Sequence, residues 1–118
     1  MLKILPFIVL LALASCSQHD SISGIYTHQH TGKVSATYDT IIVANVPNMD
    51  ASWYNIRRRA QIIYSIDEGS DSLVVEEWKG QFDPNTSGIK SSQKELPVIY
   101  NKGDKSLQYG KFTYTREQ

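Results

Sequence analysis

The sequence predicts an all-β domain, a small antiparallel meander closed into a barrel or a sandwich. Three observations carry that expectation. Residues 52–66 alternate, with Tyr54, Ile56, Ala60, Ile62, Tyr64 and Ile66 on one face, which is a two-residue period. Clusters of Gly, Pro, Asn and Asp punctuate such runs at short intervals. No stretch after residue 15 sustains the i, i+3, i+4, i+7 spacing of a helix.

The elements follow in order. Residues 24–30 form a first strand, closed by Thr31-Gly32-Lys33. Residues 36–46 hold Thr37, Thr40, Ile41, Ile42 and Val43, β-branched side chains that suit a pleated surface. Val46-Pro47-Asn48-Met49-Asp50 breaks that strand, and 52–66 is the next. Asp67-Glu68-Gly69-Ser70-Asp71 turns the chain into 73–83, where Val74, Trp78 and Phe82 share a face. After Pro84-Asn85-Thr86-Ser87-Gly88, residues 89–100 read as two short strands around Pro97. Asn101-Lys102-Gly103-Asp104-Lys105 leads into one last strand, 107–115. The expected core is Tyr54, Ile56, Ile62, Tyr64, Trp78 and Phe82. The opening Ser-Gly-Ile-Tyr, at Ser23-Gly24-Ile25-Tyr26, resembles the start of lipocalin-like domains.

The first residues are read as an export signal rather than as part of that domain. Lys3 precedes the apolar run 4–14, about half the length of roughly 20 residues that a membrane-spanning helix needs. Leu13-Ala14-Ser15-Cys16 resembles the lipobox of bacterial lipoproteins, in which the cysteine is diacylated and becomes the new N-terminus. This implies a signal peptide at 1–15, an acylated Cys16 with a polar tether at 16–23, and a single β-domain at 24–118. Two acyl chains make a stable anchor where one is marginal. Ser17 after the cysteine resembles the pattern of lipoproteins sent to the outer membrane. The expected location is the cell envelope, on the periplasmic face of that membrane.

Charge and composition limit what such a domain does. Losing Lys3 from the 12 basic residues leaves the exported chain one short of its 12 acidic ones, so nothing draws it to nucleic acid. Cys16 is the only cysteine, so once acylated it leaves no thiol for a disulfide, a metal or nucleophilic attack.

Candidate chemistry is sparse. His28 and His30 share a strand face but lack further ligands, and His19 falls in the tether, so no metal and no cofactor are expected. Glu76 and Glu77 are adjacent on a strand and face opposite ways, which does not make a glycosidase pair. Gly110-Lys111 is followed by Phe112, where a phosphate loop needs Ser or Thr. No Gly-x-Ser-x-Gly elbow occurs, and the chain is read as not an enzyme.

The triplet Arg57-Arg58-Arg59 is more informative. Alternation splits it, sending Arg57 and Arg59 outward and Arg58 onto the apolar face of Ile56, Ala60 and Ile62. A buried guanidinium must be paired, and Asp39, Glu77 and Asp83 are the candidates. Trp53, with Arg57 and Arg59, is the candidate interaction surface.

Taken in order, several segments resemble a family of small lipoproteins of unknown function encoded with the transfer genes of conjugative transposons. They are Leu13-Ala14-Ser15-Cys16, Gly24-Ile25-Tyr26, Tyr38-Asp39-Thr40-Ile41-Ile42-Val43, Tyr54-Asn55-Ile56-Arg57-Arg58-Arg59, Glu76-Glu77-Trp78-Lys79-Gly80-Gln81-Phe82-Asp83 and Gly110-Lys111-Phe112-Thr113-Tyr114-Thr115. The insertion 47–51 is longer than that family's usual turn. The resemblance implies an envelope-anchored β-domain accessory to conjugative transfer, and supplies no site residues. The expectation is a monomeric, lipid-anchored binding or scaffold protein that contacts envelope proteins. The alternatives are a lipocalin-like carrier of a small apolar ligand and a periplasmic inhibitor.

Overall fold

The computed structural model describes residues 22–64 and 71–117. The expected signal peptide, Cys16 and most of the expected tether, together with Ile66 of the expected core-facing row, lie outside the described residues. Within them the chain is all β. Its strands are β1 (Gly24–Thr31), β2 (Ser35–Asn45), β3 (Trp53–Tyr64), β4 (Ser72–Asp83), β5 (Gly88–Ser91), β6 (Lys94–Asn101), β7 (Ser106–Tyr109) and β8 (Phe112–Arg116). Each pairs antiparallel with the next, and β8 returns to β1, so the sheet closes in sequence order into an up-and-down barrel rather than a sandwich. This is a lipocalin-like arrangement.

Alternation delivers one side chain in two to the interior, and the register aligns them. Tyr26 stands opposite Ile41, Val43 opposite Ile56, Ile56 opposite Trp78, Ile89 opposite Val98 and Leu107 opposite Tyr114. All are buried. A barrel of this strand number either is filled by its side chains or holds one small ligand, and here the buried side chains occupy the interior.

The expected core is right in part. Tyr54, Ile56 and Trp78 are buried, Phe82 and Ile62 are half-buried, and Tyr64 is exposed, as is Val74 on the face it shares with Trp78. Strand length explains the difference. β4 pairs with β5 only at Gln81, Phe82 and Asp83, and β1 pairs with β8 only at Tyr26 and Thr27. Beyond those contacts β1–β4 continue as a four-stranded sheet that overhangs the barrel. Ile62, Tyr64 and Val74 lie on the inward-facing row, but past the level where β5–β8 cover it.

Two strand boundaries also differ from expectation. The pair at 89–100 is divided at Ser92 and Gln93, and Pro97 lies inside β6. It is tolerated there because the β5–β6 register shifts between Ile89 and Ser91, and the β6–β7 pairing begins only at Ile99. The expected last strand is a hairpin, β7–β8, turned by Gly110 and Lys111. Gly110 has φ +62°, the backbone that a two-residue hairpin turn requires at its first position.

Gly80 marks a close approach of β5 to β4. A Cβ placed there would meet Ile89 Cγ2 at 2.8 Å and Lys90 O at 2.9 Å. Gly80→Val should therefore cost about 1–3 kcal/mol through overpacking, read by urea denaturation. A loss within measurement error would show that β5 stands further from β4.

Candidate functional site

The chain enters the barrel at Ile22, which is buried, and Tyr26 Oη donates to the Ile22 carbonyl. Arg116 adds a hydrogen bond to the Ser23 carbonyl and lies over the Tyr26 ring at 5.4 Å. These contacts close that end. In a meander the turns after β1, β5 and β7 then fall at the far end, where the interior changes from apolar to charged.

The register builds that charged layer. Arg58 faces Ile41 on one side and Glu76 on the other, one inward step from Ile56 and Trp78. Asp39 lies diagonally across, one inward step from Ile41. Arg58 Nη2 donates to Asp39 Oδ2 at 2.8 Å and Nε to Oδ1 at 3.1 Å, a two-pronged contact. Arg58 Nη1 donates to Glu76 Oε2 at 3.3 Å, and Lys94 Nζ to Glu76 Oε1 at 2.6 Å. Tyr114 Oη completes the shell of Asp39 at 2.8 Å. The two cations also lie over aromatic rings, Arg58 over Tyr109 at 5.7 Å and Lys94 over Trp78 at 4.9 Å.

Asp39 is 3% exposed, whereas the Arg58 side chain keeps 24% of its surface. The network is thus a plug whose carboxylate end is sealed and whose guanidinium reaches toward the open end. Bonding to Asp39 raises the Arg58 guanidinium further above its already high value. Burial, and then the bond to Asp39, pushes the Tyr114 phenol up. The Lys94 ammonium, with Arg58 adding to it, holds the Glu76 carboxyl below its ordinary range against the upward push of burial.

The Glu76 shift fixes the sign of an acid effect. A carboxyl lowered on folding contributes stability above its unfolded pKa and loses it as pH falls through the folded value. Stability should therefore decline as pH drops below about 4.5, the ordinary glutamate value. The decline should be shallower in Glu76→Gln, measured by denaturant midpoints across pH. Identical slopes would show that the ion pairs of Glu76 do not couple to folding.

Each residue singled out from the sequence has a definite place. Arg58 is on the inner row, and its partners are Asp39 and Glu76 rather than Glu77 or Asp83. Glu77 is on the outer row and accepts from Asn55, while Asp83 pairs with Lys90 at 3.1 Å. Trp53, Arg57 and Arg59 share the outer row of β3. Trp53 is half-buried beside a shallow concavity of about 490 Å³ that Lys79, Gln81 and Lys90 also line. Arg57 stands opposite Glu77 and Arg59 opposite Val75. His28 packs against Phe112 at 4.7 Å, with Nδ1 3.2 Å from the Thr113 carbonyl, and His30 is exposed. Among the described residues no group of three or more His, Cys, Asp or Glu is placed to hold a metal. From the sequence alone Lys94 and Tyr114 receive no role, and Glu76 stands only as half of a carboxylate pair with Glu77. Glu76 shares its parity with Trp78, which is the signal that points to it.

The fold and the site together define a small, closed β-barrel filled by its own side chains and plugged by an ionic network. Comparison with protein-family models, with curated proteins and with solved structures finds no match to the chain.

Proposed function

We propose that this is a lipid-anchored, non-catalytic binding protein of the cell envelope, held at the periplasmic face of the outer membrane and accessory to conjugative transfer. The observation that carries the binding reading is the filled interior. Tyr26, Ile41, Ile56, Trp78 and Tyr114 occupy the space where a carrier holds its ligand, and the charged groups satisfy one another. Recognition therefore belongs to the outer wall and the overhanging sheet. The lipobox-like Leu13-Ala14-Ser15-Cys16 supports the anchor, and the series of resembling segments from Gly24-Ile25-Tyr26 to Gly110-Lys111-Phe112-Thr113-Tyr114-Thr115 supports the link to transfer genes.

From Cys16 to Ile22 a tether reaches roughly 20 Å when extended, so the anchor keeps the Ile22 end near the membrane. Confinement to that thin layer raises the effective concentration for neighbours, and a modest interface suffices. Trp53 with Arg57 and Arg59 is the first surface to test.

Mass spectrometry of the membrane-extracted protein should show an acylated Cys16 and nothing before it, and Cys16→Ala should leave the membrane fraction. Crosslinking in intact cells should recover envelope proteins, and fewer after Trp53→Ala with Arg57→Ala. Recovery of a stoichiometric apolar ligand, with transfer unaltered in a deletion strain, would establish a carrier instead.

A further inference from the structure

We infer that the open edge of β4 is a docking rail for an extended segment of a partner protein reading basic-x-apolar-x-apolar-x-basic. A closed barrel normally has no free edge, but the overhang creates one. β3 pairs with β4 without interruption from Trp53–Gln81 to Ile62–Ser72, whereas β5 pairs only with Gln81, Phe82 and Asp83. Among the described residues, no strand pairs with the other side of β4 from Ser72 to Lys79.

The direction of each amide follows from one hydrogen bond. Phe82 N–H donates to the Ser52 carbonyl at 2.8 Å, on the β3 side. Main-chain groups alternate along a strand, so Leu73, Val75, Glu77 and Lys79 aim theirs away from β3. These are the groups that pair with an added strand. At 73–75 the side chains are apolar and uncovered on both faces, since Leu73, Val74 and Val75 are each about half exposed.

The outer row of this edge specifies the occupant. Asp71 and Glu77 bracket Leu73 and Val75, so a strand laid alongside gains by placing cations opposite the carboxylates and apolar side chains between them. A second copy of this chain fits worse. Its antiparallel pairing centred on Val75 sets Asp71 against Lys79 but forces Glu77 against Leu73. Pairing centred on Val74 sets Asp71 against Glu77, two like charges. The anchor argues the same way, because an antiparallel pair carries its two Ile22 ends on opposite sides.

The inference deepens the envelope-binding reading but stands on the edge alone. Cys16→Ala tests the anchor and leaves the following assay unaffected, so the two failures are distinguishable. The probe is the peptide acetyl-Lys-Thr-Val-Thr-Val-Thr-Lys-amide, titrated into isotope-labelled full-length protein in detergent. Saturable binding is expected, with amide shifts at Leu73, Val75 and Glu77. Methylating the two valine nitrogens should weaken binding by about tenfold or more, because in the antiparallel pairing those N–H groups face β4. Methylating the central threonine nitrogen should change it by less than about twofold, and replacing both lysines by glutamate should weaken it.

On the protein side, Val75→Pro removes an outward N–H without touching the β3 ladder, so binding should fall while the unfolding temperature holds. The methylated peptides keep the test valid if that variant fails to fold. Absence of saturable binding, or binding indifferent to methylation, would overturn the proposal. Self-association that Val75→Pro abolishes would overturn the partner in favour of a second copy.

Discussion

Arg58→Ala should destabilise the barrel by about 3–5 kcal/mol, the cost of leaving a buried charge without its partner. The loss arises at Asp39 rather than at the arginine. Arg58 keeps a quarter of its side-chain surface, but Asp39 is sealed and would retain only the Tyr114 hydroxyl. Glu76 would keep Lys94 and be little affected. Arg57→Ala and Arg59→Ala remove exposed side chains from the outer row, and each should stay within about 0.5 kcal/mol. Replacing the pair together, Arg58→Met with Asp39→Leu, should recover most of the loss, because a well-packed apolar pair substitutes for a buried ion pair at little cost. Denaturant midpoints for the four proteins decide the matter. Equal, small effects at positions 57, 58 and 59 would mean that the Asp39–Arg58 contact does not support the fold.

Trp78→Ala is the second large effect, at about 3–5 kcal/mol for removal of a fully buried aromatic. Trp78 is 3% exposed, stands opposite Ile56, packs near Tyr109 at 5.8 Å and underlies Lys94. Its loss opens the interior at the level where the apolar core meets the ionic plug, so the Lys94–Glu76 pair should loosen with it. Val74→Ala, on the same row four residues earlier, should cost less than about 1 kcal/mol because nothing covers that position. A Trp78 variant as mild as the Val74 variant would place β4 in the opposite register.

The contrast between Trp78 and Val74 shows where sequence reading stops. Alternation put Tyr54, Ile56, Arg58, Ile62, Tyr64, Val74, Trp78 and Phe82 on inward rows, and the register agrees with every one of them. Parity, however, carries no depth. Tyr64 and Val74 occupy the right row at a level where β5 and β8 have already ended. Gly110 and Lys111 illustrate a different gap. They do not fit a phosphate loop, yet Gly followed by any residue between two short apolar runs is also a hairpin signal. The run Leu107 to Thr115 was long enough to pass for one strand.

The ionic plug divides along the same line. That Arg58 needs a carboxylate follows from its place on an apolar row. Which carboxylate depends on how β2, β3 and β4 slide past one another, and Glu76 rather than Glu77 emerges because it shares parity with Trp78.

By itself, then, the sequence determined the all-β class, the meander order of the longer strands, the faces of β3 and β4 and the inward turn of Arg58. Only the tertiary structure decided closure into a barrel, the depth at which each row is covered, the partners of Arg58 and the open edge of β4. The physical reason is range. Successive Cβ atoms alternate because of local backbone geometry, whereas cover and pairing depend on strands far apart in the chain meeting in one register.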